Sequence, residues 1–191
     1  MEDNVNVESE IINSEVMLNI LRDMIHNPSQ LAMGFNIFST IQGCRGFYIS
    51  LLKIILDSNS SNSEIKLASS VILNFLRKNW SDENAIFPDE KLEVFSVLLN
   101  NLLIENYFIA NLVSKLLSII SAKEWPNSYN MLIKKILKSF ETSDEKQTEC
   151  LLRIMVNIMV ECDDRIAQMT SELMPVIIDV FKNSTVSICN F

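Results

Sequence analysis

His26 is the only histidine in a chain of 191 residues, so a nucleophile–imidazole–carboxylate relay would have to be built on that one side chain. No Gly-x-Ser-x-Gly turn is present to hold a nucleophile beside it. His26 instead falls at the end of an apolar helical pattern, where a cation meets the negative end of the helix dipole, and capping is the expected role. Zinc needs four clustered donors, and Cys44, Cys150, Cys162 and Cys189 show no paired spacing. Gly34, Gly43 and Gly46 fit neither a phosphate-binding loop nor a dinucleotide fingerprint. Asp163-Asp164 could hold a cation, but adjacent residues do not face each other on a helix, and use in a loop or as a helix cap is expected. Nine methionines, among them Met155, Met159, Met169 and Met174, could line an adaptable groove, and filling core gaps is their more usual work. No cofactor site and no catalytic constellation is expected, so the chemistry favours partner contact over catalysis.

The elements that would carry such contacts are helical. Three glycines and four prolines, with no Asn-Gly or Asp-Gly, leave almost no turn chemistry for hairpins. An apolar fraction of 48% is enough for one compact domain or for several stacked helix pairs. The net charge of −8 argues against direct binding of nucleic acid, which needs clustered Lys and Arg, and suits a basic partner or plain solubility. The acidic N-terminus is unlike a targeting peptide, and no apolar run approaches the roughly 18 residues of a membrane span. Unpaired cysteines suggest a reducing compartment, cytosol or nucleus.

Taken in order, residues 1–13 read as a flexible leader. The spacing predicts a helix over Ser14–His26, with Val16, Leu18, Ile20, Leu21, Met24 and Ile25 as its apolar set. Asn27-Pro28 supplies an N-cap and first-turn proline for a second helix running to Gln42. Gly43 and Gly46 offer positive φ for a tight link, so a third helix starts at Phe47 and ends near Asp57. The polar run Ser58–Asn62 turns the chain back into a fourth helix, Ser63–Trp80, whose Ile65, Ala68, Ile72 and Phe75 form a stripe widened by Val71 and Leu76. Pro88-Asp89-Glu90 opens a helix to Leu103 with carboxylates at its own positive end and a stripe of Leu92, Phe95, Leu99 and Leu102. Further helices are predicted over Asn106–Ala122, from Trp125-Pro126 to Phe140, and after a Thr142-Ser143-Asp144-Glu145 capping box, the last carrying Leu151, Leu152, Ile154, Met155, Ile158 and Met159. Pro175 sits near the start of a final helix. First helices of successive pairs recur at roughly 33 to 46 residues, the range of two-helix solenoid repeats. The expected fold is all-α, a right-handed α-solenoid of HEAT-type antiparallel helix pairs, about four and a half repeats over residues 14–185. Residues 186–191 then form an apolar tail at a truncation point.

Several of these segments resemble the importin-β superfamily of nuclear transport receptors. Gly46-Phe47 resembles the Gly-Phe that opens a helix of the importin-β N-terminal domain, here about residues 28–80. Ile65-Lys66-Leu67-Ala68, Ile72-Leu73-Asn74 and Arg77-Lys78-x-Trp80 resemble the family's Val-Arg-x-x-Ala, Leu-Lys-Asn and basic-pair-Trp motifs, the first in shortened form. Glu124-Trp125-Pro126-x-x-Tyr129 is similar to an acidic-aromatic-Pro-x-x-Trp signature further along. Residues Cys150 to Phe181 look most like the importin-nine branch.

The resemblance implies the N-terminal HEAT repeats of a longer receptor that shuttles between cytoplasm and nucleus. It further implies a partner surface for the GTP form of the GTPase Ran, on Lys66, Leu73, Asn74 and Arg77 of the fourth helix and Asn36 and Thr40 of the second. Basic cargo such as core histones or ribosomal proteins would be carried, and nuclear pore proteins would be met through repeats outside this chain. Two positions depart from the pattern. Leu73 replaces a family Lys and loses a charged contact, and Lys66 replaces an Arg and loses its bidentate fork. A generic HEAT or armadillo scaffold without Ran binding is the alternative, and a small helical enzyme is a third.

Overall fold

The computed structural model describes residues 11–140 and 142–161 and the single positions 171, 174, 175, 178 and 182. All regular structure among them is helical: α1 Ser14–His26, α2 Leu31–Ile41, α3 Phe47–Leu56, α4 Asn62–Asn79, α5 Pro88–Asn100, α6 Tyr107–Lys123, α7 Asn127–Phe140 and α8 Glu145–Glu161. None of these helices is long and apolar enough to cross a membrane. The chain divides into two compact units, residues 1–97 and 98–191. The expectations for Asp163-Asp164, Cys162, Cys189, Met169 and residues 186–191 lie outside the described residues.

In the first unit α3 and α4 form an antiparallel hairpin. The start of α3 meets the end of α4, where the Phe47 and Phe75 rings stand edge to face at 5.6 Å. Phe38 of α2 meets the same Phe47 ring at 6.2 Å, so one fully buried aromatic joins three helices. Truncating such a side chain costs about 3–5 kcal/mol. The expected stripe of α4 is buried throughout, Ile65, Ala68, Val71, Ile72, Phe75 and Leu76 together, and Trp80 closes its end. Ser61 and Glu64 form a capping box at its start, each side chain accepting a backbone N–H that the first turn leaves without a partner. Glu64 also takes Nε of Arg22 at 2.6 Å, tying the end of α1 to the start of α4. The Ser61 amide first, and Arg22 second, hold the Glu64 carboxyl below its usual range.

Several local expectations are corrected. The apolar face of α1 is Met17, Leu21 and Met24, while Val16 is exposed. Pro28 begins a single 3₁₀ turn, Pro28–Gln30, ahead of α2, and the Asn27 side chain caps nothing. Of the expected stripe Phe95 and Leu102 are buried, but Leu92 is 72% exposed, and Val94 and Leu98 of α5 are buried as well. The reason is Glu90, which is buried and turned toward α3, so that the inward face follows Glu90, Val94 and Leu98. α5 also ends at Asn100 rather than Leu103.

In the second unit, α8 packs chiefly on α6 and only lightly on α7, its expected hairpin partner. Arg153 stacks on Tyr107 at 4.2 Å and Asn157 Nδ2 donates to Ser114 Oγ at 2.5 Å, so contacts advance in the same sense along both helices and the two run parallel. Ala110, Ser114, Ser118 and Ser121 make a line of small buried residues on α6, which permits close approach of a neighbouring helix. α7 begins after a cis Trp125-Pro126 bond, and the Trp125 and Tyr129 rings stack at 4.1 Å. The cap of α8 is a box between Asp144 and Gln147, whose side chains accept each other's backbone N–H at 3.2 and 2.8 Å. Thr142 and Glu145 are not its members, because Asp144 is the residue that reaches the open amide.

Candidate functional site

A buried polar construction in the first unit surrounds the turn into α3. Gly46 has φ +87°, the left-handed region, and a Cβ there would lie 2.4 Å from the Ile12 carbonyl oxygen. The backbone preceding α1 is strapped across this turn, with the Ile12 amide donating to the Arg45 carbonyl at 2.8 Å and Ser50 Oγ donating to the Ile12 carbonyl at 3.1 Å. Glycine is required there both by φ and by that close approach.

Glu90, only 4% exposed, inserts its carboxylate at the start of α3. It accepts from the amides of Gly46 at 3.0 Å, Tyr48 at 2.9 Å and Ile49 at 3.3 Å. A helix leaves its first amides unpaired and carries partial positive charge there, so a carboxylate from another helix satisfies both needs. The residues flanking Glu90 also serve unit 1. Asp89 takes a two-pronged ion pair from Arg45 at 2.6 and 3.3 Å, and Lys91 Nζ donates to the Trp80 carbonyl at 2.7 Å. The carboxylates expected to serve the α5 dipole thus serve α3 and the preceding turn. Behind them Asn79 Nδ2 donates to Tyr48 Oη at 3.0 Å and to Gln42 Oε1 at 2.7 Å. Burial pushes the Tyr48 phenol up to about 12, with the Glu90 charge adding to the rise and the Asn79 bond opposing it.

This scaffolding orients the two helices that carry the expected partner residues. Lys66, Asn74 and Arg77 are exposed on α4 and Leu73 is half-buried between them. At 100° per residue the four fall within about one third of the helix circumference, opposite the stripe that meets α3. On α2, Asn36 and Thr40 are exposed, and the Thr40 hydroxyl donates to the Asn36 carbonyl of its own helix at 3.1 Å. The bond from Asn79 to Gln42 joins the two helix ends. The same exposed face of α2 carries Met33, 62% exposed, and Ile37, 37% exposed. Those two apolar residues were not expected at a contact surface, because apolar spacing on a short helix reads as core. Arg45, Asn79 and Glu90 were also missed, since their partners lie tens of residues away in sequence.

Two shallow clefts occur in this unit. One, of about 290 Å³, runs along Ile12, Arg45, Ser50, Lys53 and Glu93, and the other, of about 240 Å³, along Leu18, Lys53 and Asp57. Among the described residues no three His, Cys, Asp or Glu side chains are placed to hold a metal ion. His26 is exposed in the last turn of α1, and Cys44 and Cys150 are unpaired thiols.

No protein-family model matches this chain, no curated protein matches its sequence, and no solved structure matches its fold.

Proposed function

We propose that this chain is a non-enzymatic protein-interaction scaffold built of stacked HEAT-type helix pairs, and that the exposed faces of α2 and α4 are its partner surface. The observation that carries this reading is the way three buried devices fix α2 and α4 against α3 while each helix keeps an exposed side. Phe47 receives the inner faces of both helices, Asn79 ties their ends, and Glu90 anchors the helix beneath them. What is left outward on α4 is Lys66, Asn74 and Arg77, with Leu73 at the edge. A right-handed solenoid of about four and a half repeats is the arrangement that would continue this pairing along the chain.

The sharper reading, an import receptor that binds Ran-GTP and carries basic cargo between cytoplasm and nucleus, rests on the motif resemblance around Lys66, Asn74 and Trp80. It assigns Ran contacts to Lys66, Leu73, Asn74, Arg77, Asn36 and Thr40. Binding of purified Ran to the full chain, loaded with GTP or with GDP, tests it by titration calorimetry. The expected result is binding to the GTP form that weakens about tenfold in a Lys66→Ala/Arg77→Ala double variant, the scale of two charged contacts. Equal binding of both nucleotide states, or none, rejects the receptor reading. The scaffold reading falls if no substitution on α2 or α4 alters any protein contact the chain makes.

A further inference from the structure

From three unpaired lysines and one bare methionine on the outer face of α7, we infer that this face binds an acidic segment of a partner protein. The inference concerns the second unit and does not rest on the α2 and α4 surface.

α7 has two unlike sides. Tyr129, Leu132, Ile133 and Ile136 are buried, whereas Met131, Lys134, Lys135 and Lys138 are exposed. At 100° per residue those four exposed residues fall within about 100° of the helix circumference, and they extend about 10 Å along its axis. The apolar contact, with Met131 56% exposed, and the cations therefore share one face of one helix.

The charge on that face is not offset. Asn127–Phe140 holds three lysines and no carboxylate, in a chain of net charge −8. The nearest carboxylates along the sequence are Glu124 and Glu141, and the first accepts from Ser128 Oγ. Arg22, Arg45, Lys91 and Arg153 are all committed to partners within the fold. Among the described residues none takes the ammonium groups of Lys134, Lys135 or Lys138. Lys138 follows Lys135 by three residues and Lys134 by four, spacings at which like charges meet and repel. Lys138, in the last turn, suits the negative end of the helix dipole, but the other two lie a turn earlier, where that field has faded. Carboxylates brought by a partner would relieve this repulsion.

The size and chemistry of the row select the partner. A nucleic-acid duplex or an anionic bilayer is held by many cations over a wide surface, and three within about 10 Å are too few. The same unit also exposes Asp144, Glu145 and Glu149, which a broad polyanion would find repulsive. A peptide segment matches the row with two or three Glu at spacings of three and four and one apolar side chain against Met131. Ammonium groups on flexible stems need no fixed fork geometry from those carboxylates, and a methionine adapts to the apolar neighbour.

The test uses the full chain and labelled synthetic peptides in fluorescence anisotropy. One peptide is an amphipathic helix of Glu and Leu, and the other has every Glu changed to Lys. The acidic peptide is expected to bind with a Kd below about 1 mM, at least about tenfold tighter than the basic one, and to weaken as salt rises. Lys134→Glu/Lys138→Glu is expected to weaken it at least about tenfold, and Met131→Ser about threefold. Lys53→Glu/Lys115→Glu, the same charge change at exposed positions on α3 and α6, is expected to alter it less than about threefold. Circular dichroism melts check that the variants remain folded, and Lys134→Gln/Lys138→Gln removes the charge without adding repulsion.

No binding of the acidic peptide, equal binding of both peptides, or equal losses in the α7 variant and the charge control overturns the inference. Tighter binding of a DNA duplex or of phosphatidylserine vesicles through Lys134 and Lys138 also overturns it, in favour of a polyanion surface. The scaffold reading is decided separately by the Ran titration and the substitutions on α2 and α4.

Discussion

Replacing Glu90 by Ala removes the acceptor for three amides at the start of α3, those of Gly46, Tyr48 and Ile49. Hydrogen bonds to a charged group contribute about 1.5–3 kcal/mol each. Here three donors share two oxygens, and the truncation opens room for water, so the loss is about 3 kcal/mol in total rather than three times that range. Asp89, one residue earlier, provides the control. Its ion pair with Arg45 is at the surface, with side-chain exposures of 60% and 43%, and such pairs contribute about 0–1 kcal/mol. Glu90→Gln keeps one acceptor oxygen but loses the charge, and about half of the alanine penalty is expected. Trp80 and Trp125 lie in different units, so a Trp125→Phe background lets Trp80 fluorescence report the first unit alone. In urea melts on that background, Glu90→Ala is expected to cost at least about 2 kcal/mol more than Asp89→Ala, with Glu90→Gln between them. Costs for Glu90→Ala and Asp89→Ala that agree within about 0.5 kcal/mol would refute the assignment of Glu90 as the cap of α3.

Three further outcomes follow from the same geometry. Gly46→Ala forces a Cβ to 2.4 Å from the Ile12 carbonyl at φ +87°, and a loss of about 2 kcal/mol or more is expected in the same melt, whereas Gly43→Ala, with open space around the site, stays within about 0.5 kcal/mol of the parent. The Tyr48 phenol, pushed up to about 12 by burial, keeps its proton in the folded chain at a pH where an unfolded phenol, near 10, has lost it. Fewer protons are bound by the unfolded state in that window, so stability falls as pH rises from about 10 to 12. Tyr48→Phe should flatten that slope in pH-dependent urea melts, and an unchanged slope would reject the origin. Ser121 Oγ is buried with no hydrogen-bond partner, so Ser121→Ala should be neutral or stabilising by up to about 1 kcal/mol in thermal melts, while Ser114→Ala, which strips the Asn157 bond, should destabilise by about 1 kcal/mol.

Much of the helical layout could be read from residues close together in sequence. Ser14–His26 and the stripe Ile65, Ala68, Ile72 and Phe75 obey a period set by the helix itself, and the structure buries that stripe in full. The lapses came where two nearby assignments were equally periodic. On α5 the sets Leu92, Phe95, Leu99, Leu102 and Glu90, Val94, Leu98 both satisfy helical spacing, and apolar type favours the first. The buried face draws on both, Phe95 and Leu102 of the first with all of the second, and leaves Leu92 out, because Glu90 is drawn inward by the open amides of α3. At Asn27-Pro28 the residues suit a cap, yet the Asn27 amide bonds Asp23 and a 3₁₀ turn intervenes before α2. The exposed residues Lys66, Asn74, Arg77, Asn36 and Thr40 could be placed on their helices from sequence, but not the apolar pair Met33 and Ile37 beside them, whose exposure depends on how little packs over α2.

The sequence by itself determined that the described residues are helical and where most of their helices begin and end. Those properties follow from local periodicity, from cap and turn chemistry, and from the inventory of side chains. Only the tertiary structure decided that Glu90 serves α3 rather than its own helix, that Asn79 joins Gln42 and Tyr48, and that α8 lies chiefly on α6. Each of those outcomes depends on an unmet need, whether an open amide, a buried hydroxyl or a line of small side chains. The group that meets the need sits about thirty to forty-four residues away in sequence. Periodicity cannot connect such partners, because nothing in either segment alone reveals what the other lacks.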